Sequence, residues 1–245
     1  MRVNRPAVLG VFLVLVVLAT LTGYYLYRGY AAGVSRSGRV LAWLRDSAAH
    51  PEWALRAGDR CGEAPFAYPT DGFIGYLWGD SFRPGHRHQG LDIFGGQELN
   101  ATPVLAAYPG FLTRLPDWKS SVIIRIPQDP LLPGRQIWTY YTHMADAQGN
   151  SYIDPAFPPG TQELFVEAGT LVGYQGNYSG DPFNPTGIHL HFSIVQDDGD
   201  GSFRNELEIE NTLDPSPYLG LPVSVGTNQG EIPRCNLAGA AELSQ

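Results

Sequence analysis

From about residue 65 onward, the apolar and β-branched residues of this chain come in runs of four to eight, cut apart by Gly, Pro, Asn and Asp. Runs that short are strands rather than core helices. The candidate strands are 72–77, 90–93, 104–107, 111–115, 121–126, 136–143, 170–175 and 188–195, and no stretch between them has the length and period of a helix. With 29 Gly, 20 Pro and only 16 % charged residues, a helical bundle or coiled coil is excluded. The expected body is therefore mainly β, and 245 residues are enough to bury a substantial core.

Charge is unevenly spread. The whole chain carries 16 Lys+Arg against 24 Asp+Glu, a net charge of −8. Residues 1–45 hold six Arg and no acid, which leaves 10 − 24 = −14 for the remainder. An acidic body whose one lysine is Lys119 lacks the basic footprint of a nucleic-acid-binding protein. Within it, the stretch 197–214 is rich in carboxylates, but Phe203 and Ile209 stand where an EF-hand loop needs Gly and Glu. That stretch is expected to be a solvated loop.

Residues 7–27 are uncharged and mostly Val, Leu and Ala. As a helix rising about 1.5 Å per residue they would span about 30 Å, the thickness of a bilayer core. Tyr24, Tyr25, Tyr27 and Tyr30 gather at one end, as interfacial aromatic rings do. A single-pass anchor over 7–27 is expected, with the rest of the chain outside the cytoplasm; the alternatives are a cleaved signal peptide ending near Gly29-Tyr30-Ala31 and a secreted protein, or a buried helix of a soluble protein. A helical stem follows, one helix over 35–49 ended by Pro51, with Val40, Leu41 and Leu44 on one face and Trp43, Trp53 and Leu55 placed to dock on the body. Cys61 and Cys235 lie near the two ends of that body. They read as one disulfide closing an exported domain, worth about 4–5 kcal/mol in the chain-entropy model, or as two separate reduced thiols. The resulting division is 1–30 anchor or signal segment, 31–64 stem, 65–220 body, and 221–245 a C-terminal extension tied back by Cys235.

Five of the six histidines fall in or beside the strand-like runs; His50 lies in the stem. In His86-Arg87-His88-Gln89-Gly90-Leu91-Asp92-Ile93 a His and an Asp stand four apart across a glycine. In Gly187-Ile188-His189-Leu190-His191-Phe192 strand alternation puts both imidazoles on one face and Leu190 and Phe192 on the other. By the same alternation His143 shares a face with Tyr141 and Thr139. Two imidazoles and a carboxylate make a three-ligand zinc site with a position left for water, and two further histidines would serve proton transfer and carbonyl polarisation. These residues alone leave open which His does which.

The ordered set His-x-x-x-Asp, Tyr-x-His and Gly-x-His-x-His-Phe resembles the lysostaphin/LytM-type zinc metallopeptidases, most of which cut peptide cross-bridges or stem peptides of peptidoglycan. The similarity extends to Thr102-Pro103-Val104-Leu105-Ala106-Ala107, to Tyr141-Thr142-His143-Met144, and to the Val-x-x-Gly turns of 166–173, covering roughly 65–195. The resemblance implies a mainly β, duplicated hybrid-motif domain over 65–220, an antiparallel sheet or barrel-like arrangement. It also implies one zinc per chain on His88, Asp92 and His191, with His143 and His189 as the catalytic pair in unassigned order. His86 has no counterpart in the family's ligand set and reads as exposed or substrate-facing. Three departures bear on substrate choice: a long turn at 176–187, an enlarged loop at 145–163, and Ser193 where a Glu often follows the closing Phe. The function implied is an envelope-anchored zinc endopeptidase acting on peptidoglycan. The alternatives are a non-catalytic module that binds wall or activates an amidase, and a zinc protease with a protein substrate. The net negative charge offers no attraction to an anionic wall, so recognition would reside in the cleft and its loops.

Overall fold

A computed structural model describes residues 5–81, 86–223 and 231–235; within its first helix, side chains are described for residues 10, 12–24, 26–27 and 36 onward. Helix α1 (Arg5–Arg45) precedes ten strands: β1 (Phe73–Tyr76), β2 (Leu91–Phe94), β3 (Pro103–Leu105), β4 (Gly110–Thr113), β5 (Val122–Ile126), β6 (Ile137–Thr142), β7 (Leu164–Val166), β8 (Leu171–Tyr174), β9 (Leu190–Gln196) and β10 (Thr212–Leu213). Eight of them form one sheet in the order β1-β2-β9-β6-β5-β4-β7, with β10 also paired to β9, while β3 and β8 form a separate ribbon. Every pairing is antiparallel. Among the described residues the path has two ends, at β1 and β7, and does not close into a barrel.

One face of the sheet supplies the main core. Leu91, Ile93, Leu112, Val122, Ile124, Ile137, Tyr141, Leu190, Phe192 and Ile194 are all inaccessible or nearly so and pack with Phe66, Val104, Val172 and Leu219. The opposite face is divided. Ile123, Trp138, Tyr140 and Val195 make a small second cluster there, with Trp118 and Phe203 against it. The rest of that face is the cleft described below.

Helix α1 is continuous from Arg5 to Arg45. It runs unbroken across the boundary drawn at residue 30 and through Arg36, Arg39 and Arg45. Among the described residues no helix is long and apolar enough to cross a membrane, which overturns the transmembrane anchor and the single-pass localisation and leaves the expected membrane contact through 7–27 without support. Of the four tyrosines placed at an interface, Tyr25 and Tyr30 lie outside the described side chains.

The C-terminal end of α1 belongs to the domain. Its docking face carries Arg36, Val40 and Trp43, spaced i, i+4, i+7, while Leu41, expected on that face, is exposed. The helix ends at Arg45, and two short 3-10 turns, Ser47–Ala49 and Pro51–Trp53, follow it, with His50 stacked on Trp53. Cys61 and Cys235 are joined in a disulfide across 174 residues. Of the C-terminal extension, 224–230 and 236–245 lie outside the described residues.

Candidate metal and catalytic site

Two strands in register bring the first two groups together. Asp92 in β2 sits directly opposite His191 in β9, so their side chains share a face of the sheet. The segment before β2 folds back over them: Gly79 N–H donates to the His88 carbonyl (2.7 Å) and His88 N–H to the Asp80 carbonyl (2.8 Å). This places His88 Nε2 at 3.0 Å from Asp92 Oδ1 and 3.0 Å from His191 Nδ1, with His191 Nδ1 at 2.9 Å from Asp92 Oδ1. The three atoms form a nearly equilateral triangle.

That triangle is hard to satisfy with protons. The Leu77 carbonyl can only accept, so His88 Nδ1, 3.0 Å away, carries the hydrogen. A neutral His88 then presents a lone pair at Nε2 to a carboxylate oxygen and to a second ring nitrogen. A cation removes the conflict. Zinc bound tetrahedrally at about 2.0–2.1 Å separates its ligands by about 3.3 Å, close to the triangle's edges. His88, Asp92 and His191 are the group among the described residues able to hold a metal ion. Burial favours neutral imidazole at His88, yet Asp92 and the Leu77 carbonyl outweigh it and raise its pKa. Burial alone would raise Asp92; His88 and His189 instead hold it well below the usual carboxylate range. His191 is lowered, chiefly by burial.

The other two histidines stand beside the triangle, each oriented by a backbone carbonyl. His189 Nδ1 donates to the Gly187 carbonyl at 2.7 Å, leaving Nε2 3.4 Å from Asp92 Oδ1, and its ring stacks on Phe94. His143 Nδ1 donates to the Tyr178 carbonyl at 2.6 Å, and its ring centroid lies 4.5 Å from that of His189. Burial, and then the neighbouring His189 and His191, push the His143 pKa down to about 3, so the ring is a neutral base.

His143 also departs from strand alternation. It sits just beyond β6 with φ 72°, a left-handed conformation that costs a non-glycine residue about 1–3 kcal/mol. The turn shifts the phase of the side chains. Tyr141 and Thr139, expected beside His143, are fully buried on the core face, where the Tyr141 hydroxyl accepts from Ala107 N–H. Tyr140 and Thr142 line the cleft with His143 instead. The turn is held from outside by Gly176, where a Cβ would lie 2.2 Å from the Ala145 carbonyl oxygen and 2.5 Å from that of His143.

All five residues open into one cleft of about 510 Å³. His86 lines it and is half-buried. The far wall is polar: the Ser121 hydroxyl bonds to Tyr140 (2.9 Å) and Thr142 (2.7 Å), and Ser120, Tyr178 and Glu206 complete it. Tyr140 and Thr142 were within reach of the strand pattern had the shifted phase been known. Glu206 was not, because it belongs to the stretch 197–214, where other acids cap local turns, such as Asp198 Oδ1 accepting from Asp200 and Ser202 N–H.

No family model matches the chain, and no curated protein does. Solved structures do. The peptidase lysostaphin from Staphylococcus simulans aligns with TM-score 0.38 and 20 % identity, over 61 % of this chain and 49 % of that one. A protein assigned to peptidase M23 from Pseudomonas aeruginosa aligns with TM-score 0.37 and 22 % identity, over 76 % and 61 %. The catalytic domain of a prophage-encoded M23 protein from Enterococcus faecalis aligns with TM-score 0.36 and 22 % identity, over 61 % and 95 %. The chain thus spans about half to three fifths of the length of the first two. TM-scores this low leave the reading of the site to rest on its own geometry.

Proposed function

We propose that this chain is a zinc metalloendopeptidase that hydrolyses peptide bonds in peptidoglycan stem or cross-bridge peptides. The observation that carries the reading is the triangle of His88 Nε2, Asp92 Oδ1 and His191 Nδ1, with edges of 2.9–3.0 Å and with His88 Nδ1 already committed to a carbonyl. Zinc held by these three residues would polarise the scissile carbonyl and lower the pKa of a coordinated water toward about 7. His143 and His189 act from the same side of the cleft. Each has its Nδ1 hydrogen tied to a carbonyl, so the ring that is neutral offers a bare Nε2 that accepts the proton of the attacking water and returns it to the leaving amine, while the other stabilises the developing oxyanion through an Nε2–H when that ring is protonated. Tyr140, Thr142 and Ser121 offer hydroxyls to the amide groups of an extended peptide lying along the far wall.

The test is direct. Purified full-length protein is expected to hold about one zinc per chain and, incubated with peptidoglycan, to release fragments whose masses correspond to a cut peptide bond. A folded protein that takes up no zinc overturns the metal assignment. Zinc-loaded protein that cuts an unrelated denatured protein but releases nothing from peptidoglycan overturns the substrate.

A further inference from the structure

Among the described residues, the most deeply buried arginine lies outside the cleft. Arg36 of α1 is 1 % exposed, and its Nε stands 3.0 Å from Oδ1 of Asp80, itself 3 % exposed. Neither residue faces the cleft. Asp80 is nevertheless built into the mounting of His88. Its Oδ2 accepts from Leu77 N–H at 2.6 Å and its own N–H donates to the Leu77 carbonyl at 3.1 Å, so the turn 77–80 is closed on both sides by this one residue. The Leu77 carbonyl orients the His88 ring, and the Asp80 carbonyl receives the His88 N–H.

The rest of the interface brings α1 close enough to make that contact. Gly75 of β1 has no side chain where a Cβ would meet Val40 at 2.5 Å, the Ser37 hydroxyl bonds to Tyr76 at 2.9 Å, and Trp43 Nε1 donates to the Gly95 carbonyl at 3.0 Å. A buried charge pair is a poor source of net stability, because desolvation offsets much of its attraction. Its geometric demands are strict, and outer partners of ligating histidines set ring orientation and metal affinity.

We infer that Arg36 and Asp80 are positioning residues for the metal site: the docked end of α1, through Asp80 and the 77–80 turn, fixes the tautomer and direction of His88. The inference rests on the metal assignment made above for His88.

Zinc affinity, Tm and ring NMR, all on the full chain, test it. In Arg36→Ala, zinc affinity measured by chelator competition is expected to weaken by about 10–100-fold. Val40→Ala, which loosens the same interface without touching the turn, is expected to lower Tm while leaving zinc affinity within about twofold, and Arg36→Lys is expected to restore part of the loss. In metal-free protein, long-range ¹H–¹⁵N NMR of the His88 ring is expected to show hydrogen on Nδ1 in the parent and a tautomer mixture in Arg36→Ala. Should Arg36→Ala fail to fold, Asp80→Asn keeps the volume and removes the charge, with the same expectations. Unchanged zinc affinity with an unchanged His88 tautomer overturns the inference, as does Val40→Ala weakening zinc as much as Arg36→Ala. A parent that binds no zinc yet shows the tautomer change overturns the metal assignment and leaves the positioning of His88 standing.

Discussion

The two sides of the cleft are built differently. Asp92 and His191 stand on paired central strands, opposite one another in register, with a buried core behind them. His143 and Tyr178 stand on loops, joined by one 2.6 Å bond and held in place by a left-handed turn packed on Gly176. The strand side has its geometry set by many backbone bonds and moves only if the sheet moves. The loop side depends on a few contacts and can be altered while the sheet stays intact. Binding of the ion and turnover of a peptide should therefore respond to different mutations.

The largest expected effect is on the strand side: Asp92→Ala and His191→Ala are expected to abolish zinc uptake and activity together. Zinc analysis should show a loss beyond the about 10–100-fold that follows removal of an outer partner. Next, His143→Ala is expected to keep its zinc and lose about 10²–10⁴ in kcat, measured on peptidoglycan fragments. If zinc were lost there as well, the two sides would not be separable. Smaller still, Gly176→Ala forces a Cβ to within 2.2 Å of the Ala145 oxygen. It is expected to cost about 1–3 kcal/mol, seen as a lower Tm and reduced kcat with zinc content unchanged. The smallest effect belongs to Phe183→Ala in the 176–187 loop, where the ring is 95 % exposed. Stability should move by less than about 0.5 kcal/mol, and KM for a peptide is the quantity expected to change.

Much of this was legible in the chain because period-2 patterns carry both strand and face. His189 and His191 point one way and Leu190 and Phe192 the other, as alternation requires. Eight strands lie where short apolar runs lie, within a residue or two at each end. The two that escaped notice are weak signals: β7 is three residues, two of them exposed, and β10 is two residues long. The face of His143 was misjudged because a positive φ at a non-glycine residue leaves no mark in the composition. The N-terminal apolar run looked like a separate element because hydropathy reports side chains alone, whereas helix continuity through Arg36 and Arg45 is decided by backbone bonds and by docking on β1. Arg36 and Asp80 are 44 positions apart, and nothing local announces a contact of that range.

The Cys61–Cys235 bond makes a covalent ring of the chain between those residues, and that ring includes every side chain of the cleft. Helix α1 enters from outside it. A protease that nicks the exposed 179–185 segment would leave both pieces joined, and the break would show on a gel only after reduction. A nick in the exposed stretch 58–60 would instead leave α1, and with it Arg36, without a covalent tie to the cleft. The same enzyme cutting at two surface loops would thus produce two different molecules: one whole in mass with a severed rim, the other with an intact ring that has lost its claim on the helix.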